Sequence, residues 1–163
     1  MPSHRSSHFL GGHTMPSSLI AATATAGFVT LAGLVALPAA GADLAVEVQG
    51  VRSDTGHLFV AVQTPLAADE FPYAEELFAG THQQAREGAM RFVFRALPPG
   101  RYAVSVFHDE NGNGEIDLGA AGIPTEGYGF ANNPPSQFGP PSFEEAAVTI
   151  GDASAKVMIW IAY

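Results

Sequence analysis

Residues 109 to 117 read Asp-Glu-Asn-Gly-Asn-Gly-Glu-Ile-Asp, and their types and spacing suit the wrapping of a hard cation by oxygen. Asp109, Asn111 and Asn113 offer a side-chain oxygen at every second residue. Glu115 adds its backbone carbonyl, and Asp117 follows with a carboxylate that acts directly or through water. Gly114 stands where such a loop must turn sharply, so the run matches the opening of a Ca²⁺ loop. Mg²⁺ would demand tighter octahedral geometry. The twelfth position, which carries a bidentate Glu in a helix-loop-helix site, is Ala120, and the flanks are a strand pattern and a Gly-rich stretch. The loop is therefore not an EF-hand. A closing ligand has to come from Glu126, Glu144, Glu145, a carbonyl or water. The competing reading is a plain Asn-Gly turn, and the acidic residues at both ends weigh against it.

Two neighbouring features also bear on chemistry. His108, directly before the loop, can ligate a transition metal or act as a general base, but a His hydrogen-bonded to the adjacent loop explains it more simply. The stretch Glu126-Gly127-Tyr128-Gly129-Phe130 has glycines that let the backbone approach something closely. Tyr128 and Phe130 can stack on a sugar or another flat ligand, or plug the open end of the domain, and the plug is the preferred expectation. No Cys, no Gly-x-Ser-x-Gly and no recognisable Ser-His-Asp set is present, so the chain is expected not to be an enzyme.

The elements that position these residues are strands. Leu44, Val46 and Val48 alternate with Ala45, Glu47 and Gln49. Residues 52–56 read as a hairpin turn into a second strand at 57–64, which Pro65 ends. Residues 66–88 read as a loop with one helical turn. Residues 89–95 and 101–108 alternate around the turn Leu97-Pro98-Pro99-Gly100, and two last strands are expected near 146–150 and 156–163. The long Gly- and Pro-rich segment from 109 to 142 carries Tyr128, Phe130 and Phe138, with Phe143 just beyond. That aromatic content predicts a loop packed by its own side chains. The expected fold is all-β: an antiparallel β-sandwich of about six to seven strands with one long loop.

Composition bounds the rest. Residues 1–42 hold one charge, Arg5, then an uncharged run from Leu19 that ends in Ala40-Gly41-Ala42, the layout of a cleaved signal peptide. Cleavage before Asp43, or two residues earlier, leaves a single domain at 43–163 with no stable membrane span. The protein is thus expected in the periplasm or outside the cell. The whole chain carries seven Lys or Arg against sixteen Asp or Glu, a net charge of −9. That balance argues against nucleic acid and equally against docking on anionic lipid, and favours cations or cationic partners. With no cysteine, the exported domain must hold by packing, or by packing plus metal.

A family resemblance then emerges. The run Leu97-Pro98-Pro99-Gly100-Arg101-Tyr102-Ala103-Val104, the block His108-Asp109-Glu110-Asn111-Gly112-Asn113-Gly114, and the segments 122–130 and 140–146 resemble the secreted bacterial family known as domain of unknown function 2141. More distantly, the Leu-Pro-Pro-Gly-x-Tyr turn is similar to prealbumin-like sandwiches such as carboxypeptidase regulatory domains. The resemblance implies an exported, mostly non-catalytic module with a prealbumin-like fold and no assigned activity. The leading expectation is a Ca²⁺-stabilised sandwich presenting a surface for a protein, sugar or small molecule. The alternatives are a metal-dependent hydrolase using His108 and the acidic loop, and a carrier of a small apolar ligand.

Overall fold

Alternation along each strand gives every strand one apolar face, and two sheets bury those faces against each other. The computed structural model describes residues 41–135 and 139–163, all within one compact unit, Leu37–Tyr163. The predicted leader falls almost wholly on residues 1–40, outside the described residues, as does Phe138. One sheet holds β1 (Ala42–Val51), β4 (Gly88–Leu97) and β8 (Ala155–Trp160) in the order β4-β1-β8. The other runs β3 (Ala79–Gln84), β2 (His57–Gln63), β5 (Gly100–Asp109) and β6 (Gly127–Phe130), while β7 (Ala147–Ile150) pairs with the first half of β5. Among the described residues, every strand and both apolar clusters lie within residues 42–163.

The all-β sandwich is as expected, with one pairing of the other sense: β1 runs parallel to β8 and antiparallel to β4. Leu44, Val46 and Val48 of β1 meet Leu58, Val60 and Val62 of β2 and Val104 and Val106 of β5 in the core between the sheets. A smaller cluster, Phe71, Ala103, Phe130, Phe143 and Ala146, lies on the outer face of the five-stranded sheet. Phe130 and Phe143 of the long segment both pack there against Phe71, at 5.8 and 6.1 Å between ring centres.

Three features differ from expectation. Residues 52–56 do not close a hairpin, because β1 and β2 belong to different sheets. Strand alternation looks the same whether the next strand is a hydrogen-bonded neighbour or lies across the core, about 10 Å away. β3 was missed because it is an edge strand, Ala-Gly-Thr-His-Gln-Gln, with no residue buried. β6 was hidden inside the long loop because its inward positions are Gly127 and Gly129, which carry no apolar signal.

Candidate acidic-loop site

β5 carries the site to its place. Strand alternation turns His108 inward and Asp109 to the opposite face, and both are buried. One oxygen of Asp109 accepts the N–H groups of Gly112 (2.8 Å) and Asn113 (3.1 Å), and the other accepts that of Gly114 (2.9 Å). A single carboxylate thus curls the chain around itself. Gly112 and Gly114 sit at φ of 79° and 82° with open space where a side chain would go, so the left-handed backbone is what requires glycine.

The amides continue the curl. Asn111 Oδ1 accepts the N–H of Asn113, and Asn113 Oδ1 accepts that of Glu115, both at 2.9 Å. Their Nδ2 groups reach across to the two oxygens of Asp117, at 3.0 Å for Asn113. Asp109 therefore forms the floor of the loop, while Asn111, Asn113 and Asp117 converge at its mouth. Glu115, from which the backbone carbonyl was expected to contribute, has an exposed side chain.

Of the three carboxylates considered for closing the loop, Glu126 is the one that reaches it. It is 5% exposed, and its two oxygens accept the N–H groups of Glu110 (2.8 Å) and Asp117 (3.1 Å). One side chain so ties the two ends of the loop together. Glu144 instead pairs with Arg101, and Glu145 accepts from the N–H and hydroxyl of Ser142 at 2.8 Å each. Those bonds hold the Glu145 carboxyl below its usual range. Both residues lead into β7, whose Ala147 lies opposite Ala103. That is six residues up β5 from Asp109, roughly 20 Å of strand.

His108 is fully buried with both ring nitrogens engaged. Nε2 lies 2.7 Å from the Thr55 carbonyl, which only accepts, so Nε2 carries the proton. Nδ1, 2.7 Å from the Tyr163 hydroxyl, is then the acceptor. Burial raises the Tyr163 phenol above its ordinary range, which keeps its donated proton in place. Tyr163 also accepts the Arg52 N–H at 3.1 Å, and its ring lies 4.1 Å beneath the Arg52 guanidinium. That guanidinium pairs two-pronged with Glu110, lowering the Glu110 carboxyl below the usual carboxylate range and raising its own pKa in turn. Neither nitrogen of His108 is free to bind a metal or take a proton from a substrate while this network stands.

Arg52 and Tyr163 escaped the sequence reading because each meets its partners from far along the chain and neither belongs to a motif. Tyr128 is half-buried, whereas Phe130 is buried in the outer cluster. The register aligns Tyr128 with Phe107, Phe59 and His82 across the outer face. Phe107 and His82 flank Phe59 at 4.8 and 4.9 Å in near-parallel stacks, a row of rings that separate strands give no hint of.

Among the described residues no three His, Cys, Asp or Glu side chains come together as a metal cluster. At the mouth of the loop Asn111 and Asn113 meet the Asp117 carboxylate through their Nδ2 groups, while their side-chain oxygens accept backbone N–H groups. No curated protein and no solved structure matches the chain. Residues 46–158, from within β1 to within β8 and including the whole acidic loop, match the model of a family described as an uncharacterized protein conserved in bacteria (DUF2141), and to that family the chain belongs.

Proposed function

We propose that this is an exported, non-enzymatic binding module whose 109–117 loop takes up Ca²⁺ and is set in its working shape by it. The carrying observation is the convergence of Asn111, Asn113 and Asp117 over the buried Asp109 carboxylate. Asp109, Asp117, the two amide oxygens and the Glu115 carbonyl would hold the ion. Coordination would use the second lone pair of each amide oxygen and displace the amide contacts that Asp117 now accepts. Glu126, occupied with two backbone N–H groups, fixes the frame rather than filling the sphere. The site stays open on its outer side, and the ion's role is structural rather than catalytic.

Export rests on the leader-like first forty residues. Ala42 is 3% exposed and pairs with Leu97, which favours the earlier of the two cleavage points, before Gly41. The hydrolase reading loses its base, since both nitrogens of His108 are committed.

The melting temperature of residues 41–163 in EDTA and in excess Ca²⁺ tests the proposal. At calcium a hundredfold above Kd the expected gain is about 2.7 kcal/mol, roughly 10 °C for a domain of this size. Asp117→Asn, which keeps the shape and removes a charge, should abolish most of the gain. Equal melting with and without calcium would sink the proposal.

A further inference from the structure

Among the described residues one long strand edge is left bare. Asn133 stands beside β8, Ala162 exchanges backbone bonds with Tyr128 at the edge of β6, and β7 is only four residues long. β4 carries Arg91 and Arg95, charges of the kind that discourage random strand addition. β3 has none of these devices. Its six residues, Ala-Gly-Thr-His-Gln-Gln, hold no charge and no proline, and they pair with β2 without a register shift. Among the described residues no main-chain group of Ala79–Gln84 bonds to anything but β2. The outward N–H and C=O groups of its alternate residues are therefore a template for another strand.

The same side of the molecule gathers unpaired positive charge. Arg52, Arg101 and Lys156 pair with carboxylates, whereas Arg86, Arg91 and Arg95 have no carboxylate partner among the described residues. That is unexpected where sixteen Asp or Glu face seven Lys or Arg. All three lie on β4 or in residues 85–87, which carry β3 into it. Arg86 and Arg91 flank a cleft of about 350 Å³ where β3 ends and β4 begins, lined also by Gln83, Gln84, Ala89 and Met90. The lining holds two positive charges and no negative one. Met90 is buried and its sulfur accepts the Arg86 N–H at 3.3 Å, while Gln84 Nε2 donates to the Asp54 carbonyl at 3.0 Å. The walls are thus pinned from behind, and neither guanidinium is engaged.

We propose that this side of the sandwich binds an extended acidic peptide, whose backbone adds to the free edge of β3 and whose carboxylate sits between Arg86 and Arg91. Two independent observations converge on it. The bare edge specifies an extended backbone, because main-chain hydrogen bonds are what it offers. The unpaired arginines specify the side chain, because a guanidinium fork matches a carboxylate two-pronged. At physiological ionic strength exposed charges are screened beyond about 8 Å, so the two arginines in contact count for more than carboxylates elsewhere on the domain. A strongly acidic peptide would meet those carboxylates beyond the cleft, so one or two acidic residues are the expected number. The proposal needs nothing of the 109–117 loop and holds without calcium.

The test is selection from a random peptide library displayed on phage, against immobilised residues 41–163 in EDTA, with Kd then measured for the enriched peptides. Enriched sequences should be strand-forming and carry Asp or Glu. Their Kd should rise at least about tenfold in the double variant Arg86→Gln, Arg91→Gln, whose melting temperature stays near the parent's. N-methylation of alternate peptide residues should abolish binding in one register and spare it in the other, and hydrogen exchange of the β3 amides should slow on binding. Enrichment of no peptide, or only of peptides without acidic residues, overturns the proposal. So does an unchanged Kd in the double variant, or tolerance of N-methylation at every position. If the β3 amides are instead protected by self-association as concentration rises, a second copy is the occupant and the peptide assignment falls. With EDTA present throughout, failure here leaves the calcium reading standing, and a melting temperature indifferent to calcium leaves this site standing.

Discussion

Two neighbouring stretches of the chain, the acidic loop at 109–117 and the segment at 127–133, are both rich in Gly and Asn and are held by different physics. In the loop, carboxylates do the holding: Asp109 and Glu126 together accept five backbone N–H groups. In the second segment, close packing does it. Gly127 faces the Tyr163 ring and Ile161, and Gly129 faces Ile159 and the Trp160 carbonyl. Tyr128 and Ala162 exchange backbone hydrogen bonds at 2.9 Å, drawing the chain beyond β8 onto β6 and joining the sheets at that corner. Asn132 and Asn133, at φ of 65° and 48°, finish the seam. Asn132 donates to the carbonyls of Glu145 and Ala147. Asn133 donates to the Met158 carbonyl and accepts the Trp160 N–H, standing in for a strand beside β8. A glycine in one stretch thus serves a left-handed backbone, and in the other the approach of a neighbouring strand.

That difference can be broken with one methyl group on each side. Gly129→Ala would place Cβ 2.7 Å from both Ile159 Cγ2 and the Trp160 oxygen, where backbone must move. A loss of about 3 kcal/mol is expected, at the upper end of overpacking costs. Gly114→Ala meets open space and suffers only its φ of 82°, so about 1 kcal/mol is expected. Urea unfolding of both variants in EDTA gives the comparison. Equal losses would mean that the corner at Gly129 relaxes freely and that the two glycines serve one purpose.

Glu126→Gln sharpens the other half of the contrast. Gln keeps one acceptor, but its Nε2 must then face the N–H of either Glu110 or Asp117. With one charge-assisted bond lost and a donor opposed to a donor, about 2 kcal/mol is expected. The loss should appear in EDTA and in calcium alike, since Glu126 serves the backbone. A loss confined to calcium-loaded protein would make Glu126 a ligand instead.

What could be read from residues alone follows the same division. The strands whose inward positions carry side chains, such as β1 with Leu44, Val46 and Val48, declared themselves by alternation. β6 did not, because Gly127 and Gly129 leave the inward positions blank, and the partner they make room for is 30 residues further on. Sheet membership was equally hidden, since the side chains of β1 and β2 alternate alike whether the strands pair or face each other. In the site, Asp109, Asn111, Asn113 and Asp117 were legible because loop ligands lie at fixed short spacing. Glu126 was named as a candidate, but as a ligand rather than as a tie between the loop's two ends. Arg52 and Tyr163, 111 residues apart, left no local signal, although together they occupy Glu110 and His108.

The smallest effect concerns how the loop's flank is tied to the rest of the domain. Among the described residues Glu110 is the carboxylate there held by a side-chain cation, and Arg52 lowers its pKa. A depressed folded pKa means the pair stabilises fully above the ordinary carboxylate value of about 4.3 and loses its contribution as pH falls through the lower, folded value. Arg52 is 48% exposed at its side chain, so solvent screening holds the contribution to about 0.5 kcal/mol at neutral pH. Glu110→Gln should therefore melt slightly below the parent at pH 7 in EDTA, and the gap should close as pH falls from the ordinary carboxylate range through the lower folded value. High salt at pH 7 should narrow it too. A gap that persists in acid would place the role of Glu110 in its hydrogen bond from Ser53 and its packing rather than in its charge, leaving the loop's carboxylate-to-backbone bonds as its main electrostatic support.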